Sequence, residues 1–364
     1  MDSRIETAST VKKIATIVGA RPQFIKASAV SRALTGKFNE VMIHTGQHYD
    51  SEMSGQIFDE LEMREPDFNL GIGGGTHGKQ TGLMLVELEK TIFEVKPDCI
   101  LVYGDTNSTL AGALVAAKAG IKLAHVEAGL RSFNRTMPEE VNRVLTDHVS
   151  DVLFCPTDAA VENLKKEGIT NGVHRVGDVM YDALLHNRAL AHRRMSILPQ
   201  MRIEKKKYAL ATVHRAGNTD DPARLKSILD ALGSLPMPVI FPVHPRTRNL
   251  INDGKLPVSS NVSLTVPLGP LEIVELLEFA DCLLTDSGGM QKEAYLMGVR
   301  CITLREETEW VETVEAGWNK LAGVDAKLIL ELFEAWHPAG ERPALYGDGH
   351  AAQRICSLLL TELK

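Results

Sequence analysis

The sequence predicts an α/β protein made of two parallel-sheet halves. Three observations carry that expectation. Short apolar runs alternate with stretches of helical periodicity, the pattern of βαβ units. The runs read as strands buried on both faces, as in a parallel sheet. The rhythm pauses over a basic stretch, Leu190–Lys207, and then restarts. A chain of 364 residues has room for two domains of ~100–200 residues each.

In the first half, strands are expected at Ile14–Val18, Val41–His44, Cys99–Val102, Leu123–Val126 and Val152–Cys155. Helical periodicity fills Pro22–Leu34, Lys79–Val95, Ser108–Ala119, Glu139–Ser150 and Asp158–Glu167. The Leu190–Lys207 stretch holds no strand-like run and reads as a surface connection. It sets a division into residues 1–190 and 191–346. In the second half, strands are expected at Tyr208–Val213, Val239–Val243, Val262–Thr265, Cys282–Thr285 and Cys301–Leu304. Two such halves facing each other would bring the loops after both sets of strands into one cleft, where open α/β sheets bind ligands.

Composition narrows the function. Forty basic and 47 acidic side chains give a net charge of −7. No general attraction to nucleic acid or anionic lipid follows, so any anionic ligand must be held locally. No apolar run approaches the ~20 residues of a membrane helix. The opening MDSRIETASTVKK lacks the apolar region of a secretory signal. Cys99, Cys155, Cys282, Cys301 and Cys356 are odd in number and form no CxxC pair. They read as buried thiols in a reducing compartment, the cytoplasm, not as disulfides or a zinc site.

Chemistry-bearing residues gather just after the apolar runs. GARPQFIK puts Gly19 at a turn after the first strand, with Arg21 and Lys26 at or near a helix start. That suits a phosphate, or simply a solvated turn. GIGGGTHG contains Gly73-x-Gly75-x-x-Gly78, but no core strand precedes it, and Glu94 downstream lies in a helical stretch. It reads as a flexible loop, not a dinucleotide site. Asp105 in GDTNSTL and Glu127 in HVEAGLRS follow successive strands, and Glu139 and Glu140 open the helix of MPEEVNR. Each has a bland reading as a helix cap or dipole partner. Three acids converging from neighbouring strand ends would suit moving a proton off and onto carbon. In the second half, His214–Arg215 and His244–Arg246 each follow a strand. Ser287, Gly288 and Gly289 open a helix that contains Glu293, a place for a diphosphate with a ribose beyond it. Thr308–Asn319 follows the next strand and would close that site. No cluster has metal-ligand spacing.

Taken together, GARPQFIK, TGQHYD, GDTNSTLAGALVAA, HVEAGLRS, MPEEVNR, TDHVSD, GDVMYDAL, ATVHRAGNTDD, VHPRT, TDSGGMQKEA and the TEWVE/AGWN region resemble the non-hydrolysing UDP-N-acetylglucosamine 2-epimerase family over nearly the whole chain. The resemblance implies two Rossmann-like domains in a glycosyltransferase-B fold, with residues 347–364 forming a helix that returns to the first domain. It implies a cytoplasmic homodimer acting on a UDP-sugar, with no metal, NAD or other cofactor. The implied reaction removes the C2 proton as UDP leaves C1, giving a 2-acetamidoglycal, then returns both with inversion at C2. By motif match, Asp105, Glu127 and Glu139 resemble the family's catalytic acids, and His214 the histidine at the leaving diphosphate. Arg21, Ser287, Gly288 and Glu293 match diphosphate and ribose contacts. Lys26, Arg131, Arg143, His244 and Gly289 lie in the same motifs and are expected to line the substrate site.

The chain departs from the family at Gly217, where glutamate is frequent, and near Ile273, where some members place an aromatic. It also departs at Tyr49 and Asp50, in the stretch tied to activation by a second nucleotide sugar. The GARPQF, MQKEA and LYGDG wording also resembles the branch acting on UDP-2,3-diacetamido-2,3-dideoxyglucuronic acid. A UDP-sugar-dependent glycosyltransferase of the same fold is a further alternative.

Overall fold

The computed structural model describes residues 11–47 and 62–364. Tyr49 and Asp50 lie outside the described residues. The chain divides into two compact units. One is Met1–Ala183 with Tyr346–Lys364, the other Leu184–Leu345.

The first unit holds a seven-stranded parallel sheet, all of its strands among the described residues: β1 (Lys13–Val18), β2 (Asn39–His44), β3 (Phe68–Asn69), β4 (Cys99–Tyr103), β5 (Lys122–Val126), β6 (Val152–Cys155) and β7 (Val173–Arg175). Their order is β3-β2-β1-β4-β5-β6-β7. From β1 the chain winds one way to β3, then returns to the other side at β4. The switch point therefore falls between β1 and β4, where open sheets leave a crevice beyond their C-terminal ends. The second unit repeats the pattern with β8 (Ala209–Thr212), β9 (Val239–Pro242), β10 (Val262–Thr265), β11 (Cys282–Thr285), β12 (Arg300–Thr303) and β13 (Asn319–Leu321), ordered β10-β9-β8-β11-β12-β13. Its switch point falls between β8 and β11.

Each sheet is covered on both faces. In the first unit, one core packs the Arg21–Leu34 and Ala351–Glu362 helices through Phe24, Val30, Ile355 and Leu359 against Ile14, Leu101 and Phe154. The other face packs Met84, Leu88 and Ile92 of the His77–Val95 helix against Ile17 and Ile100. The C-terminal helix is fastened at its start by Asp182, whose carboxylate accepts the Ala351 N–H at 3.1 Å and the Ala352 N–H at 2.9 Å. Burial raises the Asp182 carboxyl above its ordinary range.

Short edge strands β3, β7 and β13 escape the sequence reading, because two or three half-buried residues leave no apolar run. The Leu190–Lys207 stretch differs from a surface connection. Leu190, Ala191, Ile197 and Leu198 are buried. Glu275 accepts from Ser196 Oγ at 2.5 Å and Ile197 N–H at 3.1 Å. GIGGGTHG follows edge strand β3 rather than a central strand.

Candidate active site

Both switch points carry the residues singled out above. At the first, β1 runs into Gly19 and the helix Arg21–Leu34. Gly19 is required by close approach: a Cβ there would lie 2.1 Å from Ser108 Oγ and 2.3 Å from Thr45 Oγ1. Gln23 organises the turn. Its Oε1 accepts the Gly19 and Ala20 N–H groups at 2.8 and 3.0 Å, and its Nε2 donates to Tyr103 O at 2.8 Å. Buried Gln23 thus ties the turn after β1 to the end of β4. Arg21 is exposed at the start of its helix.

The turn after β4 carries Asp105, and the turn after β5 carries Glu127. The two turns interlock, since Gly104 N–H donates to Val126 O at 3.0 Å. Lys26 reaches in from the Arg21–Leu34 helix and pairs with Glu127 Oε2 at 2.6 Å, with side chains only 10% and 15% exposed. Glu127 sits at φ +74°, a left-handed conformation that costs a non-glycine residue ~1–3 kcal/mol and that its surroundings must enforce. Asp105 pairs with Arg143 of the Pro138–Val149 helix, and Asn142 Nδ2 donates to Asp105 O at 3.0 Å.

The adjacent acids of MPEEVNR take different positions. Glu139 is exposed on the first turn of its helix, behind Pro138. Glu140 is buried, accepts from Ser132 N–H, Ser132 Oγ and Phe133 N–H, and pairs with Arg143 at 2.9 Å. Burial alone would raise the Glu140 carboxyl; those donors and Arg143 outweigh it and hold it below its ordinary value. Asp105, Glu127, Lys26 and Arg143 are brought together around two interlocked turns. Arg131 is not among them. Its side chain is 1% exposed, with Nη1 donating to Leu130 O and Asp147 Oδ2, and Nε and Nη2 to Glu167. Four of the five N–H groups of that guanidinium are therefore engaged inside the protein.

At the second switch point, Ser287 caps the Gly288–Met297 helix, its Oγ accepting the Met290 N–H at 3.4 Å. The positive end of that helix favours an anion. Gly288 leaves room for Glu309: a Cβ there would fall 1.9 Å from Glu309 Oε1. Glu309 also pairs with Arg305 at 2.8 Å and Arg215 at 3.6 Å. Gly289 is exposed and Glu293 half-buried on the same helix. Lys292 Nζ lies 4.4 Å over the Trp310 ring, which holds the TEWVE segment against this helix. His244 caps the Pro245–Asp253 helix, its Nδ1 accepting the Arg246 N–H at 3.2 Å.

The residue that sequence reasoning missed here is Asp286. It is fully buried and accepts from His214 N–H at 3.1 Å, Arg215 N–H at 3.0 Å and Asn218 Nδ2 at 3.1 Å. His214 Nδ1 lies 3.5 Å from its Oδ1, while the His214 side chain stays more than half exposed. An acid between a buried strand and a serine cap is the available signal in the sequence.

Two doubly wound parallel sheets, with acids at one switch point and a capped, glycine-opened helix at the other, define a protein of the glycosyltransferase-B type. A sequence profile of the UDP-N-acetylglucosamine 2-epimerase family matches residues 32–360, and the chain belongs to that family. It is 53% identical over 353 residues to a UDP-N-acetylglucosamine 2-epimerase homologue of Methanococcus maripaludis, covering 95% of this chain and 99% of that one. It is 49% identical over 360 residues to the UDP-2,3-diacetamido-2,3-dideoxy-D-glucuronate 2-epimerase of Pseudomonas aeruginosa, covering 95% and 99%. The Methanocaldococcus jannaschii UDP-GlcNAc 2-epimerase, solved with UDP-GlcNAc and UDP, superposes with a TM-score of 0.80 at 42% identity, covering 96% of this chain and 99% of that one.

Proposed function

We propose that this chain interconverts UDP-GlcNAc and UDP-ManNAc by the non-hydrolysing route. The observation that carries the reading is the pair of interlocked turns at β4 and β5. They present Asp105 beside Arg143 and Glu127 beside Lys26. In the forward half-reaction a carboxylate takes the C2 proton, the C1–O bond breaks with its electron pair leaving on the diphosphate, and a C1=C2 double bond forms. In the second half a proton returns to the opposite face of C2 and the diphosphate oxygen re-adds to C1. C2 has no carbonyl neighbour, so its proton is weakly acidic. Loss of UDP in the same phase offsets that, provided the diphosphate is stabilised. Asp105, Glu127 and Glu139 move the protons. Arg21, His214 and the helix start at Ser287 and Gly288 hold the diphosphate, and Glu293 the ribose.

The reading includes a cytoplasmic homodimer. Five free, buried cysteines suit a reducing compartment, and no helix among the described residues is long and apolar enough to cross a membrane. Met137, Val141 and Leu145 line one exposed face of the Pro138–Val149 helix and its cap, and support a subunit contact there. A second reading, epimerisation of UDP-2,3-diacetamido-2,3-dideoxyglucuronate, is favoured by the Pseudomonas aeruginosa relative. Incubation with each sugar nucleotide separately, followed by proton NMR, tests both. UDP-ManNAc appearing from UDP-GlcNAc is expected; turnover of the diacetamido uronate alone would replace the first reading by the second.

A further inference from the structure

We propose that His125 is a positioning residue, a buried imidazole whose two ring nitrogens lock together the three elements bearing Asp105, Glu127 and Glu139. The proposal rests on the reading that those acids act on the sugar. His125 lies on β5, two residues before Glu127, and is fully buried. Both of its ring nitrogens face oxygen: Nε2 is 2.7 Å from Gly104 O, and Nδ1 is 2.7 Å from Asp147 Oδ1. A carbonyl oxygen can only accept, so Nε2 carries a hydrogen. The other oxygen of Asp147 accepts from Arg131 Nη1 at 2.6 Å and Gly129 N–H at 3.0 Å. Burial pushes the Asp147 carboxyl up, but His125 and Arg131 outweigh it and hold it below its ordinary value.

Ion pairs extend this contact: Arg131 bridges Asp147 and Glu167. The nearby Cys155 thiol, pushed up to about 12 by burial, stays neutral. Each link grips a different part of the site. The Gly104 carbonyl, held by Nε2–H, belongs to the residue before Asp105. Asp147 holds the turn after Glu127 through Gly129 N–H, which helps enforce the left-handed Glu127 backbone. Asp147 itself sits in the Pro138–Val149 helix, whose first turn presents Glu139 and whose Arg143 pairs with Asp105. One buried imidazole therefore sets two turns and a helix in register. A misplacement near 1 Å can cost about 100-fold in rate.

Two measurements test this. In protein labelled with ¹⁵N-histidine, the His125 ring, assigned by its loss in His125→Gln, should show a slowly exchanging hydrogen on Nε2, held by the Gly104 carbonyl. An Nε2 without that hydrogen would overturn the proposal, and this holds even if the variant fails to fold, because the wild-type resonance can be assigned by elimination through other histidine variants. In folded His125→Gln, kcat should fall by about 100-fold with KM and UDP affinity nearly unchanged. Wild-type kcat in His125→Gln, alongside loss of turnover in Asp105→Asn and Glu127→Gln, would sink the positioning role alone. Full turnover in those acid variants would instead sink the reading of the acids, while the Nε2 hydrogen would still decide whether His125 holds the Gly104 carbonyl.

Discussion

Lys26 Nζ lies 2.6 Å from Glu127 Oε2, a nearly enclosed ion pair joining the helix after β1 to the turn after β5. The pair spans the topological switch point. It leaves Glu127 with a fixed cation partner and a strained backbone.

Breaking this pair should be costlier than removing it whole. Lys26→Met leaves a carboxylate with no counter-charge in a largely desolvated place, and Glu127→Gln leaves an ammonium. Urea unfolding of the two single variants and the double variant should give a coupling of roughly 0.5–3 kcal/mol, the double variant being less destabilised than the sum. Strict additivity would mean the two side chains do not interact in solution.

Asp286 should matter to nucleotide binding without touching nucleotide. Asp286→Asn would turn an amide N–H toward one of the N–H donors it now accepts from, costing about 1–3 kcal/mol of stability and loosening the His214 turn. Calorimetry should show weaker UDP binding in this variant. His214→Ala and Arg21→Ala should each weaken UDP directly by roughly 10–150-fold. Unchanged UDP affinity in all three would place the diphosphate elsewhere.

His44 gives a pH signature. Burial lowers its imidazole to about 4. The folded protein therefore holds it neutral, while the unfolded chain protonates it below about 6.5. The unfolded state binds the extra proton, so stability present above about pH 6.5 is lost as pH falls toward 4. His44→Asn keeps an acceptor for the Gly46 N–H, which His44 Nδ1 now accepts at 2.8 Å. Denaturant unfolding at several pH values should show a shallower acid decline in this variant; parallel curves would remove His44 as its source.

Most of the scaffold is legible because buried parallel strands leave continuous apolar runs. The central strands β1, β4, β5, β8 and β11 are of this kind, and they are the strands that lead into the candidate site. What stays hidden is polar and internal. Nothing in the spacing tells that Glu140 rather than Glu139 is the buried acid, since both acids suit a helix start and only the Ser132–Phe133 turn decides between them. Arg131 looks like a ligand cation in HVEAGLRS because the sequence does not show Asp147 and Glu167 converging on it. Asp286, Gln23 and His125 act through backbone groups brought close only by the folded turns.

The central claim is that carboxylates of the β4 and β5 turns remove and return the C2 proton while UDP departs. Incubation with UDP-GlcNAc in deuterated water tests it most directly. Deuterium should appear at C2 in the product and, as the reaction reverses, in the starting epimer. Asp105→Asn, Glu127→Gln and Glu139→Gln should each slow that exchange by ~10²–10⁴. Epimerised product that retains its original C2 hydrogen would contradict the account.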